Sequence, residues 1–445
     1  MKFLSSSRVC IYIYLPLWYK VNFTSMINNH ITLKEKFFFT FSKVDMQILF
    51  VTFFILSFVS CCSCNIPCPE TTQKTTIFNV MDYGAVGDGL TDDSQVFLKV
   101  WNDICKRDSD TPTLLVPSGK TFLLNPLKFR GPCSFSPVHF QLEGNIVAPS
   151  SSEAWKDEDY TKWIVFYYIH GIIIDGGGQI DGQGSTWWKT NCSALHIDNC
   201  SNLQLNGTHH LNSARNHISI DYSDHVNIFK INITAPQESP NTDGIDIGHS
   251  SYVLIQDSTI ATGDDCIAMN NGTSNINITG VTCGPGHGIS VGSLGENGAY
   301  EIVEQVYVKN CTFIRTENGM RIKTWPGGSG YARNISFEQI ILTETKNPII
   351  IDQNYRDLVI DKANNMQKSE VQISGVTYRD VIGTSNSKTS IKLNCNKNSG
   401  CTDIFMDVVN ITSISGKTTK ASCKNAHGEA SSTSPYVPCL SQDSD

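Results

Sequence analysis

Between residues 193 and 394 the chain repeats one short pattern: apolar, any residue, apolar, then a run of polar and turn-forming positions. It reads Leu195-His196-Ile197, Ile218-Ser219-Ile220, Ile245-Asp246-Ile247, Ile267-Ala268-Met269, Ile289-Ser290-Val291, Met320-Arg321-Ile322, Ile349-Ile350-Ile351 and Ile391-Lys392-Leu393, with steps of 23, 27, 22, 22, 31, 29 and 42 residues. A second set, Val226, Val253, Ile276, Val306, Ile335, Ile373 and Ile404, keeps pace with the first. Alternation with period two belongs to a strand that buries one face. Two strands recurring every 20 to 30 residues or so are too close for propeller blades, which need about 40. The pattern predicts an all-β chain wound as a parallel β-helix with two strands per turn, each coil burying its apolar face against its neighbours. Equivalent positions on successive coils then lie about 4.8 Å apart.

Ahead of the repeats the pattern changes. In TDDSQVFLKVWNDIC (91–105), Val96, Phe97, Val100, Trp101 and Ile104 recur at helical spacing behind Thr, Asp and Ser, which predicts a short N-terminal capping helix. Earlier still, Ile48 to Val59 is an apolar run followed by small residues in SCCSCN. The expectation is a leader over 1–64, with a signal peptide at 46–64, an extension of the gene model at 1–45, and a single domain over 65–445. The run is shorter than the roughly 20 apolar residues a membrane span needs.

Composition adds compartment and partner. A formal charge of -8 over 445 residues argues against nucleic acid, and binding of an acidic ligand requires a local basic cluster. From Cys68 onward there are twelve cysteines, an even set suited to disulfides in an oxidising compartment, and no CxxC metal spacing. Nine Asn-x-Ser/Thr sequons also follow the leader, at Asn191, Asn199, Asn206, Asn232, Asn271, Asn277, Asn310, Asn334 and Asn410. Secretion is the expectation.

The period assembles a candidate site. Asp243, Asp265 and His287 are spaced by 22 and 22 residues, and each stands two positions before the first apolar residue of a repeated strand. Gly244, Gly263 and Gly288 flank them, and glycine permits the backbone conformations that turn such side chains outward. Asp264 adjoins Asp265. On the next coil Arg321 and Lys323 alternate with Met320 and Ile322 and therefore point outward together, and Tyr355 follows one coil later. Singly, each residue has a plainer reading: an Asx turn for Asp243, an exposed turn or calcium site for Asp264 and Asp265, a structural histidine, a solvated pair of cations. Shared periodicity across consecutive coils favours one groove wall. Carboxylates beside cations fit hydrolysis of an anionic sugar polymer. His196, His217, His225 and His249 are read as structural, His217 being the one with reach to the groove.

At these residues the chain resembles the polygalacturonases of glycoside hydrolase family 28, in particular the plant enzymes. The likeness rests on SPNTDGIDI (239–247), GDDCIAM (263–269), CGPGHGISVGSLG (283–295) and RIK (321–323) in order, with FNVMDYGAVGDGLTDD (78–93), GPC (131–133) and DQNY (352–355) in support. It implies a right-handed parallel β-helix, no metal or organic cofactor, a monomer, and a secreted enzyme of the cell wall acting on pectin, an acidic polysaccharide. By position it implies Asp264 as general acid, Asp243 and Asp265 activating the attacking water with inversion, and His287 supporting the protonation of the acid. Arg321 and Lys323 would bind a galacturonate carboxylate, and Tyr355 would help place the substrate. It further implies the disulfides Cys266 with Cys283, Cys395 with Cys401 and Cys423 with Cys439. The sequence departs from the family at Ala214, Arg215 and Asn216, where relatives usually carry Pro, Gln and an aromatic residue. A pectate lyase, a rhamnogalacturonan hydrolase and a non-catalytic wall-binding protein are the competing readings. The full acid set with His287 and RIK disfavours all three.

Overall fold

The computed structural model describes residues 75–442 except 109–110, 152–160, 187, 189–191, 356–369 and 399. The expected leader, Cys68 and the sequon at Asn191 lie outside the described residues.

The repeats form a right-handed parallel β-helix. An eleven-stranded parallel sheet runs from Leu127–Arg130 and Lys162–Tyr167 through Ser193–Asp198, Ile218–Asp221, Ile245–Gly248, Ile267–Met269, Ile289–Leu294, Asn318–Thr324 and Asn347–Asp352 to Thr389–Asn394 and Lys420–Lys424. All eight apolar triplets lie in this column and pair in register: Leu195 with Ile218, Ile218 with Ile245, then Ile267, Ile289, Met320, Ile349 and Ile391. Inside it, Ile220, Ile247, Met269, Val291 and Ile322 stack with 1 % exposure or less. Each such side chain contributes about 1.5–3 kcal/mol on burial.

Through the coil that starts at Ile289–Leu294, each coil contributes three strands rather than the expected two. After Ile245–Gly248, for example, come Ser251–Gln256 and then Thr259–Ala261. The third column is short, with a single buried residue on rungs such as those of Ile233 and Ile260, so it leaves no alternation to detect. On later coils the second and third columns run on as single long strands, Ser329–Thr345, Gln372–Ser385 and Cys401–Ser413. The second column is also corrected at one rung: Ile335 pairs with Val376, and Ile373 with Ala332.

The predicted helix forms over Ser94–Cys105 and packs Phe97, Val100, Trp101 and Ile104 into the core. It begins later than the pattern suggested, because Asp88–Asp92 is a strand and Asp93 is the N-cap. The Asp93 carboxylate accepts from Val86 N–H (2.8 Å) and Gly87 N–H (3.1 Å), fixing the preceding loop instead of capping the helix. Trp101 packs on Phe129 and Phe166, and its Nε1 donates to the Arg130 carbonyl at 2.9 Å. Four disulfides are present: the three implied by resemblance, and Cys105–Cys133, which ties the helix end to the following coil. Cys192, Cys200 and Cys311 are buried free thiols, so pairing does not extend to every cysteine of the even set.

Candidate active site

Register places Asp243, Asp265 and His287 on three consecutive coils. The strands they precede pair Ile245 with Ile267 and Ile267 with Ile289. The backbone continues the ladder into the bends: Gly244 N–H donates to the Asp265 carbonyl at 2.8 Å, and Cys266 N–H to the Gly288 carbonyl at 2.8 Å. Of the flanking glycines, Gly288 has the positive φ expected, +93°. Gly263 is required for a different reason: a Cβ there would lie 1.9 Å from the Ser239 carbonyl oxygen. Gly244 is similar, with the Cys266 carbonyl in the way.

Carboxylate oxygens of Asp243, Asp264 and Asp265 lie within 4.8 Å of one another. Their surroundings differ sharply. Asp265 is fully buried; its Oδ1 accepts from Ser290 Oγ (2.8 Å) and Arg321 Nη2 (2.5 Å), and its Oδ2 from Lys323 Nζ (3.1 Å). Burial alone would raise its pKa, but the Arg321 and Lys323 charges outweigh that and hold it below the usual carboxylate range. Among the described residues no cation forms an ion pair with Asp243. Burial, then the charges of Asp264 and Asp265, hold it well above that range. Close carboxylates titrate as a set, so the cluster keeps a proton that Asp265 does not carry.

Asp264 turns its side chain to His287, with Oδ1 2.8 Å from Nδ1. That hydrogen bond raises the His287 pKa against the opposing effect of burial. The other ring nitrogen lies 3.6 Å from Glu317 Oε2, and Glu317 also meets Lys346 at 3.3 Å. A cavity of about 300 Å³ opens here, lined in part by Gln237, His287, Arg315 and Glu317.

Arg321 and Lys323 emerge together from Asn318–Thr324, as alternation predicted. Both are engaged by Asp265, and Arg321 Nε also donates to Ser290 Oγ at 2.8 Å. Each retains further N–H donors. Tyr355 lies beside them: its ring is 5.2 Å from Lys323 Nζ and edge-on to Trp325 at 5.4 Å. The three acids are close enough to ligate a cation, yet both Asp265 oxygens already carry positive donors, which oppose a divalent ion there.

A model of the glycosyl hydrolases family 28 matches residues 105–433. The chain belongs to this family. It is 48% identical over 378 residues to a probable polygalacturonase of Arabidopsis thaliana, covering 84% of this chain and 82% of that one. It is 39% identical over 378 residues to polygalacturonase-2 of Solanum lycopersicum, covering 82% and 81%. In fold it matches the crystal structure of a hyperthermoactive exopolygalacturonase from Thermotoga maritima, with a TM-score of 0.64 and 20% identity over 76% of this chain and 88% of that one.

The family 28 hydrolase has polar residues at its site that the sequence reading passed over. Ser290 bridges Asp265 and Arg321; it is the middle residue of its triplet and pairs with Arg321 across the rung, so extending the outward-facing column by one coil would have found it. Asp246 occupies the same column and accepts from Asn216 Nδ2 at 2.6 Å and from Asn270 Nδ2. Glu317 follows no triplet period and carried no signal. His217 lies beneath the groove, fully buried, with Nδ1 2.9 Å from the Asp243 carbonyl oxygen and Nε2 accepting from Ser213 N–H at 3.2 Å. His225 and His249 are exposed and stack on Tyr252 and Tyr222. His196 faces outward and, with His249, lines a cavity.

Proposed function

We propose that this family 28 hydrolase is a polygalacturonase that cleaves the α-1,4 bonds of homogalacturonan by single displacement with water. The observation that carries this reading is the division of labour among three carboxylates within 4.8 Å: one clamped ionised, one rich in proton, one hydrogen-bonded to a histidine. By resemblance to the family, Asp264 delivers the proton that the cluster holds, and Asp243 and Asp265 attend the attacking water. Asp264 protonates the glycosidic oxygen as its bond to the anomeric carbon breaks. A water molecule held by Asp243 and Asp265 forms the new bond and returns a proton to the cluster. His287 holds Asp264 in position, and its charge favours ionised Asp264 after the proton has left. Arg321 and Lys323 use their spare donors on a substrate carboxylate, with Tyr355 packed against Lys323.

The names of its relatives support pectin as the substrate class, and an acidic polymer suits the cations at the groove. The enzyme acts outside the cell, in the wall, as a monomer without cofactor. Among the described residues no helix is long and apolar enough to cross a membrane. Release of reducing ends from polygalacturonate tests the activity. Asp264→Asn should lower kcat by roughly 10²–10⁴, the usual scale of general acid catalysis. An undiminished rate in that variant overturns the assignment of the acid.

A further inference from the structure

Beyond the acid cluster, towards the N-terminal coils, a cavity of about 290 Å³ is lined in part by Lys162, His196, Arg215, Asp221, Asp246 and Asn270. Its floor is the outward-facing column of the eleven-stranded sheet: His196 pairs with Ser219, and Ser219 with Asp246. Two rungs separate His196 from Asp246, roughly 10 Å along the axis. Most charges in or beside this cavity are spoken for. Lys162 meets Asp198 at 3.4 Å, and His249 meets Asp221 at 3.0 Å. The exception is Arg215: among the described residues its guanidinium is in no ion pair.

His196 is the second anomaly. It is 6 % exposed, and among the described residues neither ring nitrogen has a hydrogen-bond partner, Nε2 lying 4.0 Å from Asp198 Oδ2. Burial, reinforced by the Lys162 charge, pushes its pKa down to about 4, so the ring is neutral and presents one donor and one acceptor. A buried polar side chain left open at both nitrogens is uncommon and costly, and a ligand hydroxyl would satisfy it. Asp246, pushed up to about 6 by burial against the Arg215 charge, adds a further hydroxyl partner.

We propose that this cavity is a uronate subsite, in which Arg215 takes the carboxylate of a sugar residue remote from the cleaved bond while His196 and Asp246 take its hydroxyls. The inference rests on the polygalacturonase reading and deepens it. A neutral sugar would leave the guanidinium unmatched; a galacturonate residue matches both the cation and the open imidazole.

Kinetics on galacturonate oligomers of defined length test it. Arg215 is exposed, so Arg215→Gln leaves the core intact. Against wild type, it should lower kcat/KM roughly tenfold on oligomers long enough to reach the cavity. The loss on the shortest cleaved oligomers should be several-fold smaller, and Arg215→Lys should recover part of the difference. Equal proportional loss on long and short oligomers, or no loss on either, overturns the subsite. Calorimetric titration with a long oligomer gives a reading independent of turnover: weaker binding by Arg215→Gln and by His196→Phe supports the proposal, and binding equal to wild type overturns it. Failure of the polygalacturonase reading is distinguishable, since wild type would then release no reducing ends at any length.

Discussion

Asp264 and His287 are joined twice: the side chains meet at 2.8 Å, Oδ1 to Nδ1, and the His287 backbone N–H donates to the Asp264 carbonyl at 2.7 Å. Asp264 and His287 therefore sit at a fixed separation on adjacent coils, although they are 23 positions apart in the sequence. With a folded pKa raised above its ordinary value of about 6.5, His287 is charged below the raised value and loses its proton as pH climbs through it.

The first prediction follows from that direction. In Asp264→Asn an amide replaces the carboxyl that His287 meets, and the His287 pKa should fall towards or below about 6.5. Titration of its ring resonances by NMR checks this. In wild type the alkaline limb of the activity profile should lie above that value, and His287→Asn should remove the limb together with most of kcat. A His287 pKa unchanged in Asp264→Asn contradicts the coupling.

Lys323→Ala should change both binding and stability. Loss of a substrate contact raises KM on polygalacturonate. Buried Asp265 also loses one of its two cations, at a cost of about 1–3 kcal/mol. Because the folded pKa of Asp265 is depressed, its stabilising contribution is present above the unfolded value of about 3.9 and is lost as pH falls through the lower folded value. The gap in urea midpoint between wild type and variant should therefore be widest near neutral pH and narrow below about pH 4. A gap independent of pH would assign the lost stability to packing.

Stereochemistry separates two mechanisms. Inverting sites commonly hold their carboxyls about 6.5–9.5 Å apart and retaining ones about 5–5.5 Å, and the oxygens here approach within 4.8 Å. Distance alone would favour retention. However, the ionised carboxylate, Asp265, is buried and held by three donors, so it cannot swing onto an anomeric carbon. The first-formed reducing end from the α-linked polymer should be the β anomer, observed by proton NMR before mutarotation. An α product would establish a covalent intermediate.

Cys105–Cys133 closes a 28-residue separation between the cap helix and the next coil. Replacing both cysteines with serine should cost about 3–4 kcal/mol by the loop-entropy relation. Denaturant melts measure it, and a loss well under 1 kcal/mol would mean that the aromatic cluster around Trp101 holds the helix without the bond.

Much of this architecture was legible in the chain because a β-helix writes its core into the sequence one rung at a time. Leu195 through Ile391 stack as their spacing implied, and the rule that set Asp243, Asp265 and His287 two positions before each strand also set them side by side. The third strand of the earlier coils escaped because a lone Ile233 or Ile260 shows no period. Ile373 was misplaced because the long strand Gln372–Ser385 offers two apolar candidates three residues apart, and only pairing with Ile335 selects Val376. Glu317 could not be read at all, since it reaches His287 from a bend with no repeated spacing.

One further consequence follows from the outward-facing column His196, Ser219, Asp246, Ala268, Ser290, Arg321. Each coil contributes the middle residue of its triplet to this column, and the two apolar neighbours of that residue belong to the interior. Substitution at His196, Ser219 or Ala268 changes the outer face of one coil, whereas Ser290 and Arg321 also hold Asp265, so exchanging either disturbs the acid cluster. Sliding a strand by a single residue would instead bury Arg321 and expel Met320 and Ile322. The outer face away from the acid cluster can thus drift by point substitution, while insertions are confined to the turns.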